Sequence, residues 1–231
     1  MKKYNFIFMA LGLAIVIITT LLATGTNEND KYKNFKELRQ NERQDEDYSI
    51  SLEKGNPDIV LIAIHGGGIE PGTTELAEHL SLAGEYSFYS FQGIKVTNNM
   101  DLHITSTNFD EPKALNMVSN SIYTLSFHGY GNEEKKHTYI GGLDETLSNS
   151  IKKELKNAGF SVSDAPKRIN GKTKENIVNK NKQKKGVQFE ISTAQRKAFF
   201  ENDDFSSKNR ENQTEEFYNY IEAIQKALSS N

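Results

Sequence analysis

The run IVLIAI, Ile59–Ile64, is continuously apolar and mostly β-branched, and it stops on the polar string HGGG. A strand with one wet face alternates apolar and polar residues; one this uniformly apolar is covered on both faces. Such a strand needs layers above and below it, and helix signals follow. Thr73 and Thr74 precede TELAEHLSLA, which stops at Gly84, and Asp144 precedes SNSIKKELKNA, which stops at Gly159. YSISL from Tyr48, then YSFYSFQGI, IYTLSF (Ile122–Phe127) and VQFEIS (Val187–Ser192), are further strand candidates, the last followed by the short helical TAQRKAFF. The closing EEFYNYIEAIQKAL sets Phe217, Ile221, Ile224 and Leu228 on one helical face. The expected fold class is α/β: a single-domain, mixed, mostly parallel sheet flanked by helices.

Residues 1–25 read as a signal peptide or N-terminal membrane anchor. Lys2 and Lys3 precede the apolar FIFMALGLAIVIITTLLA, long enough to span a bilayer if uncleaved. The chain beyond is then exported, secreted or held on the outer face of the membrane. Residues 26–47 are polar and mixed in charge, a linker by composition. The folded domain is expected over residues 48–231, of a length that supports one core. No heptad or exposed interface stripe is evident, so a monomer is expected.

Absence of cysteine excludes thiol catalysis, thiolate zinc and disulfides. With 28 basic and 31 acidic residues the net charge is −3, so no basic field invites nucleic acid. Without Lys2 and Lys3 the balance is 26 against 31, or −5.

Ligands of open α/β sheets collect beyond the carboxyl ends of strands. His65, His128 and Glu190 all stand at or near the ends of strand candidates. HGGG can serve as the oxyanion loop of a serine esterase, but no GxSxG elbow supplies the nucleophile. A phosphate loop would need GK[ST], also absent. A metal site remains. His65 and Glu70 can supply two ligands from one glycine-rich loop, and His128 a third, leaving a position for water as catalytic zinc requires. His103, in DLHITSTNFDEP, is the rival third ligand; otherwise it lines the cleft or contacts substrate. Glu190 is the candidate general base, because a mid-strand glutamate is costly to bury without a purpose.

Taken in order, IAIHGGGIEPGTTELA, LHITSTNFDEP, LSFHGYG, IGGLD and GVQFEIS resemble the zinc-dependent poly-γ-glutamate hydrolases of phages and bacilli, from about Tyr48 to about Arg196. The resemblance implies a zinc-carboxypeptidase-like fold, one Zn2+ ion, and hydrolysis of γ-glutamyl amide bonds. By position, His65, Glu70 and His128 match the family's zinc ligands and Glu190 its general base. Thr193 departs from the pattern, standing where relatives carry arginine. Such a polyanionic substrate needs local cations, and KRINGKTKENIVNKNKQKK (Lys167 to Lys185) is a cationic cluster shortly before Glu190. Arg168 and Arg196 can hold carboxylates bidentately, with Asn176 and Asn179 adding hydrogen bonds. Two other readings are a zinc amidase or carboxypeptidase acting on cell-wall peptides, and a non-catalytic binder of anionic capsule polymer.

Overall fold

The computed structural model describes residues 30–230. The leader expected over residues 1–25 lies outside the described residues; among the latter, no helix is long and apolar enough to cross a membrane.

Seven strands form one sheet: β1 (Tyr48–Glu53), β2 (Asn56–Gly67), β3 (Tyr86–Gly93), β4 (Tyr123–Tyr130), β5 (Thr138–Gly142), β6 (Val162–Asp164) and β7 (Val187–Ser192). Their order is β1-β3-β2-β4-β7-β5-β6. The central pairs β3–β2, β2–β4 and β4–β7 are parallel, as is β5–β6, while β1–β3 and β7–β5 are antiparallel. This is the expected mixed, mostly parallel sheet in one domain. Both its faces are covered by helices: α1 (Phe35–Asn41), α2 (Thr73–Gly84), α3 (Pro112–Asn120), α4 (Glu145–Asn157), α5 (Thr193–Ala198) and α6 (Glu215–Ser229).

Alternation along β2 divides its apolar run between two cores. Leu61 and Ala63 join a cluster with α2, α4 and α6, whereas Val60, Ile62 and Ile64 join one with α1 and α3. On β7, Val187, Phe189 and Ile191 belong to the first cluster, so Gln188 and Glu190 face the other side. Phe217, Ile221, Ile224 and Leu228 of α6 pack into the first cluster.

Two expectations need correction. Residues 30–47 are not a tether. Asn34 caps α1 by accepting from the Glu37 N–H, and Tyr32, Phe35 and Leu38 are buried in the second core, with Phe35 set edge-on to Tyr48 and Phe91. Burying such a side chain contributes about 2 kcal/mol, enough to hold a short segment that composition alone marks as solvated. The cap of α2 is Gly72, with φ of 96°, rather than a threonine. Thr74 is buried in the first turn, where its Oγ1 accepts from the Gly67 N–H.

Candidate metal centre

Three adjacent parallel strands, β2, β4 and β7, end at one level and deliver His65, His128 and Glu190. The β2–β3 register slips between Ala63 and Gly66, so β2 carries one extra residue where His65 leaves the ladder. A bulge of this kind re-aims a side chain. After it, Gly67 turns with φ of 63°; a Cβ there would meet the Gly93 carbonyl oxygen at 2.5 Å, so no other residue fits without a shift. The Glu70 N–H then donates to the His65 carbonyl at 2.8 Å, folding the glutamate back over the histidine.

The result is a compact donor set. His65 Nδ1 lies 3.2 Å from Glu70 Oε1, His128 Nδ1 lies 3.6 Å from Glu70 Oε2, and the two Nδ1 atoms are 3.0 Å apart. One ligand atom from each residue falls within 4.8 Å of the other two. The remaining imidazole nitrogens are engaged. His65 Nε2–H donates to the Ile104 carbonyl at 2.9 Å, which leaves a lone pair on Nδ1 of the neutral ring. Ser126 Oγ stands 2.8 Å from His128 Nε2 and accepts its N–H when Nδ1 carries the lone pair. The Gly129 N–H donates to Glu70 Oε2 at 2.9 Å. Two imidazole nitrogens and a carboxylate, each oriented by an outer hydrogen bond, suit a divalent ion such as zinc. The donor set therefore fits the expected cofactor. Burial alone would raise the Glu70 pKa, but the His65 and His128 imidazoles outweigh it and hold the carboxyl well below its ordinary range.

Glu190 pairs in register with His128 across β4–β7. Burial, then the Glu70 charge, push its pKa well above the usual carboxylate range; the Gln188 amide, donating to Oε1 at 2.8 Å, with Arg168 and Arg196, pulls the other way. All four residues line a cleft of about 360 Å³, shared with His103, Thr105–Thr107, Asn176 and the loop Lys167–Thr173. A larger cavity of about 590 Å³, between the end of α4 and the start of α6, holds no His–Glu–His set.

The other expected site residues divide. Arg168 lines the cleft and makes no hydrogen bond or ion pair among the described residues. Asn176 also lines it, but caps a 3-10 turn through Val178 N–H and donates to Gln188. Arg196 is not a cleft residue: its guanidinium is buried, donating to the carbonyls of Pro71 and Ile191 beneath Gly129, where a Cβ would meet its Cζ at 2.5 Å. It braces the ligand loop against α5. Asn179 is likewise structural, donating to the Gly171 and Thr173 carbonyls and accepting from Leu143 and Gly186. His103 stands outside the donor set. Its ring stacks on His65 with centroids 4.0 Å apart, and burial, then His65, lower its pKa. Ser126 and Gln188 were missed, although each lies two residues before a site residue on the same strand face. Asp30, which meets His103 Nδ1 at 2.6 Å, carried no local signal at all.

Comparison with known proteins gives the family and the fold. Residues 32–223 match the family model described as poly-gamma-glutamate hydrolase. The chain is 40% identical to the SPbeta prophage-derived UPF0714 protein YoqZ of Bacillus subtilis (strain 168), across 94% of this chain and 79% of that protein. A solved bacteriophage poly-gamma-glutamate hydrolase superposes with a TM-score of 0.86 at 42% identity, covering 87% of this chain and 97% of that one. Zinc-free YndL superposes at 0.80 and 40% identity, covering 87% and 98%.

Proposed function

The chain belongs to the poly-gamma-glutamate hydrolase family, and from that membership we propose that its cleft cleaves γ-glutamyl amide bonds with one zinc ion held by His65, Glu70 and His128. The observation that carries the proposal is the convergence of those three donors, with Glu190 one strand away in the same cleft. When bound, the ion supplies Lewis acidity toward the amide carbonyl and acidifies water. Glu190 takes the proton of the attacking water and returns it to the leaving nitrogen. Its raised proton affinity suits both halves of that transfer. Gln188, bonded to one carboxylate oxygen, leaves the other for the water.

Each unit of a γ-linked glutamate polymer carries a free α-carboxylate. Arg168, like Lys167, lines the cleft without a hydrogen bond or ion pair among the described residues, and its planar fork is the better suited to hold one beside the scissile bond. Lys172 is engaged with Glu145 at 2.9 Å and is less available. Arg168→Met should raise KM for polymer about 10-fold with a smaller change in kcat, as loss of a charge-assisted hydrogen bond does; steady-state kinetics on size-fractionated polymer read this directly. A change confined to kcat would remove Arg168 from substrate binding.

The proposal includes a monomer exported through residues 1–25, which would bring the cleft to a capsule polymer. Its test is size analysis of poly-γ-glutamate with the purified protein. Fragments should appear, vanish after EDTA treatment, and return with one equivalent of Zn2+ per chain. Full activity in the chelated protein would overturn the zinc reading.

A further inference from the structure

Among the described residues five large apolar side chains are exposed, and three of them, Ile94, Val96 and Met100, share one loop. Single apolar residues are ordinary on a surface, whereas a cluster marks a contact. The Asn99 side chain holds the loop closed, accepting from the Lys95 N–H at 2.9 Å and donating to the Lys95 carbonyl at 2.8 Å. Ile94 and Met100 therefore flank its base, and Val96 within it is fully exposed. The loop follows β3, so it stands at the same end of the sheet as the cleft. The start of the domain is tied to it. Lys31 meets Asp101 at 2.9 Å, Lys95 meets Glu42 at 2.6 Å, and the Ile94 N–H donates to the Asp47 carbonyl at 3.0 Å. That start is cationic on its outer side. Phe35 and Leu38 turn into the core, while Lys33, Lys36 and Arg39 are exposed and make no ion pair among the described residues.

We propose that loop 94–100, together with the cations of residues 33–39, seats the domain on an anionic lipid surface. The inference rests on the export through residues 1–25 proposed above, with that segment retained in the membrane. The occupant follows from the chain that leads to this face. Only residues 24–29 separate the apolar run of residues 6–23 from Asp30, a reach of at most about 25 Å. Asp30 is fixed at His103, and Lys31 at Asp101, next to Met100. A domain on so short a lead from a membrane-spanning segment turns this end to the bilayer. Ile94, Val96 and Met100 gain by entering the lipid interface, and anionic headgroups attract Lys33, Lys36 and Arg39. A protein partner for the loop would leave both the short lead and the cations without a role. Because the loop and the cleft share one end of the sheet, the cleft of a domain seated this way opens close to the bilayer.

The chain contains no cysteine, so Val96→Cys takes a single fluorescent label at the loop. Leu82→Cys takes one at another exposed apolar side chain, near the end of α2 and at the opposite end of the sheet. Both are made in the full chain and reconstituted in phosphatidylglycerol vesicles that contain nitroxide-bearing lipid. The label at 96 should be quenched at least about 2-fold more than the label at 82, as an apolar group in the interface is. In phosphatidylcholine vesicles the quenching at 96 should fall by about half, because the cations lose their partner. Equal quenching at the two positions, or none at 96, in a chain that floats with the vesicles would overturn the seating and leave the anchor standing. The same quenching in both lipids would remove Lys33, Lys36 and Arg39 from the contact. A full chain that does not float with vesicles would refute the anchor, and the seating with it.

Discussion

Glu190→Gln is expected to leave a folded protein that binds zinc and has lost about 10³- to 10⁴-fold in kcat. The substitution keeps shape and removes only the ability to take and return a proton. The Gln188 amide can still donate to the new carboxamide oxygen, so the strand-end geometry survives. Stability should move in the opposite direction. The carboxyl pKa is raised in the fold by burial and then by Glu70, so the native state resists ionisation of Glu190. The wild type therefore loses stability as pH rises from the ordinary carboxylate range through that raised value. In the metal-free protein, the variant should melt higher than the wild type at neutral pH and equally at acid pH, where both carry a neutral side chain. Thermal unfolding at the two pH values, beside initial-rate assays with matched zinc content, measures both effects. Retention of near-normal turnover would remove Glu190 from the chemistry and leave it as a buried liability without a role.

His128→Ala should weaken zinc binding by more than about 100-fold, exceeding the 10- to 100-fold cost typical of losing a residue that merely supports a ligand. His128 contributes one of three donors, and its Nδ1 is the atom nearest that of His65. Competition with a chromophoric chelator gives the affinity without reference to turnover. His103→Ala is the matched control: a ring stacked on a ligand, outside the donor set, should cost at most about 10-fold. If the His103 variant lost zinc as severely as the His128 variant, the third ligand would be misassigned.

Much of this site is legible in the chain because its parts are local. Ile59–Ile64 declares a strand covered on both faces, and His65 and Glu70 share one glycine-rich loop, so their meeting needs only a turn that glycine permits. The helices α4 and α6 follow from Asp144 as a cap and from the apolar stripe Phe217–Leu228. Residues 30–47 were misread for the converse reason. Tyr32, Phe35 and Leu38 are too few, amid charge, to form a periodic pattern, and only the core they enter makes them cohesive. Strands β5 and β6, five and three residues long, are too short to show a pattern; helix α3 is amphipathic and was nonetheless not among the expected elements.

Arg196 and Asn179 mark the limit of reading residue types. Both look like substrate groups in isolation, and both spend their donors on backbone carbonyls whose position only the fold sets: Pro71 and Ile191 for one, Gly171 and Thr173 for the other. The chain by itself determined the buried strand, the loop that carries His65 and Glu70, and the kinds of side chain at strand ends, since these depend on bonds and contacts within a few residues. Which histidine stands with His65 and Glu70, which arginine lines the cleft, and that Asp30 reaches His103 were decided only by the tertiary structure. Those contacts join residues tens of positions apart: strand pairing sets His65, His128 and Glu190 beside one another, and packing of loops against the sheet brings Asp30 to His103, neither of which local propensity fixes.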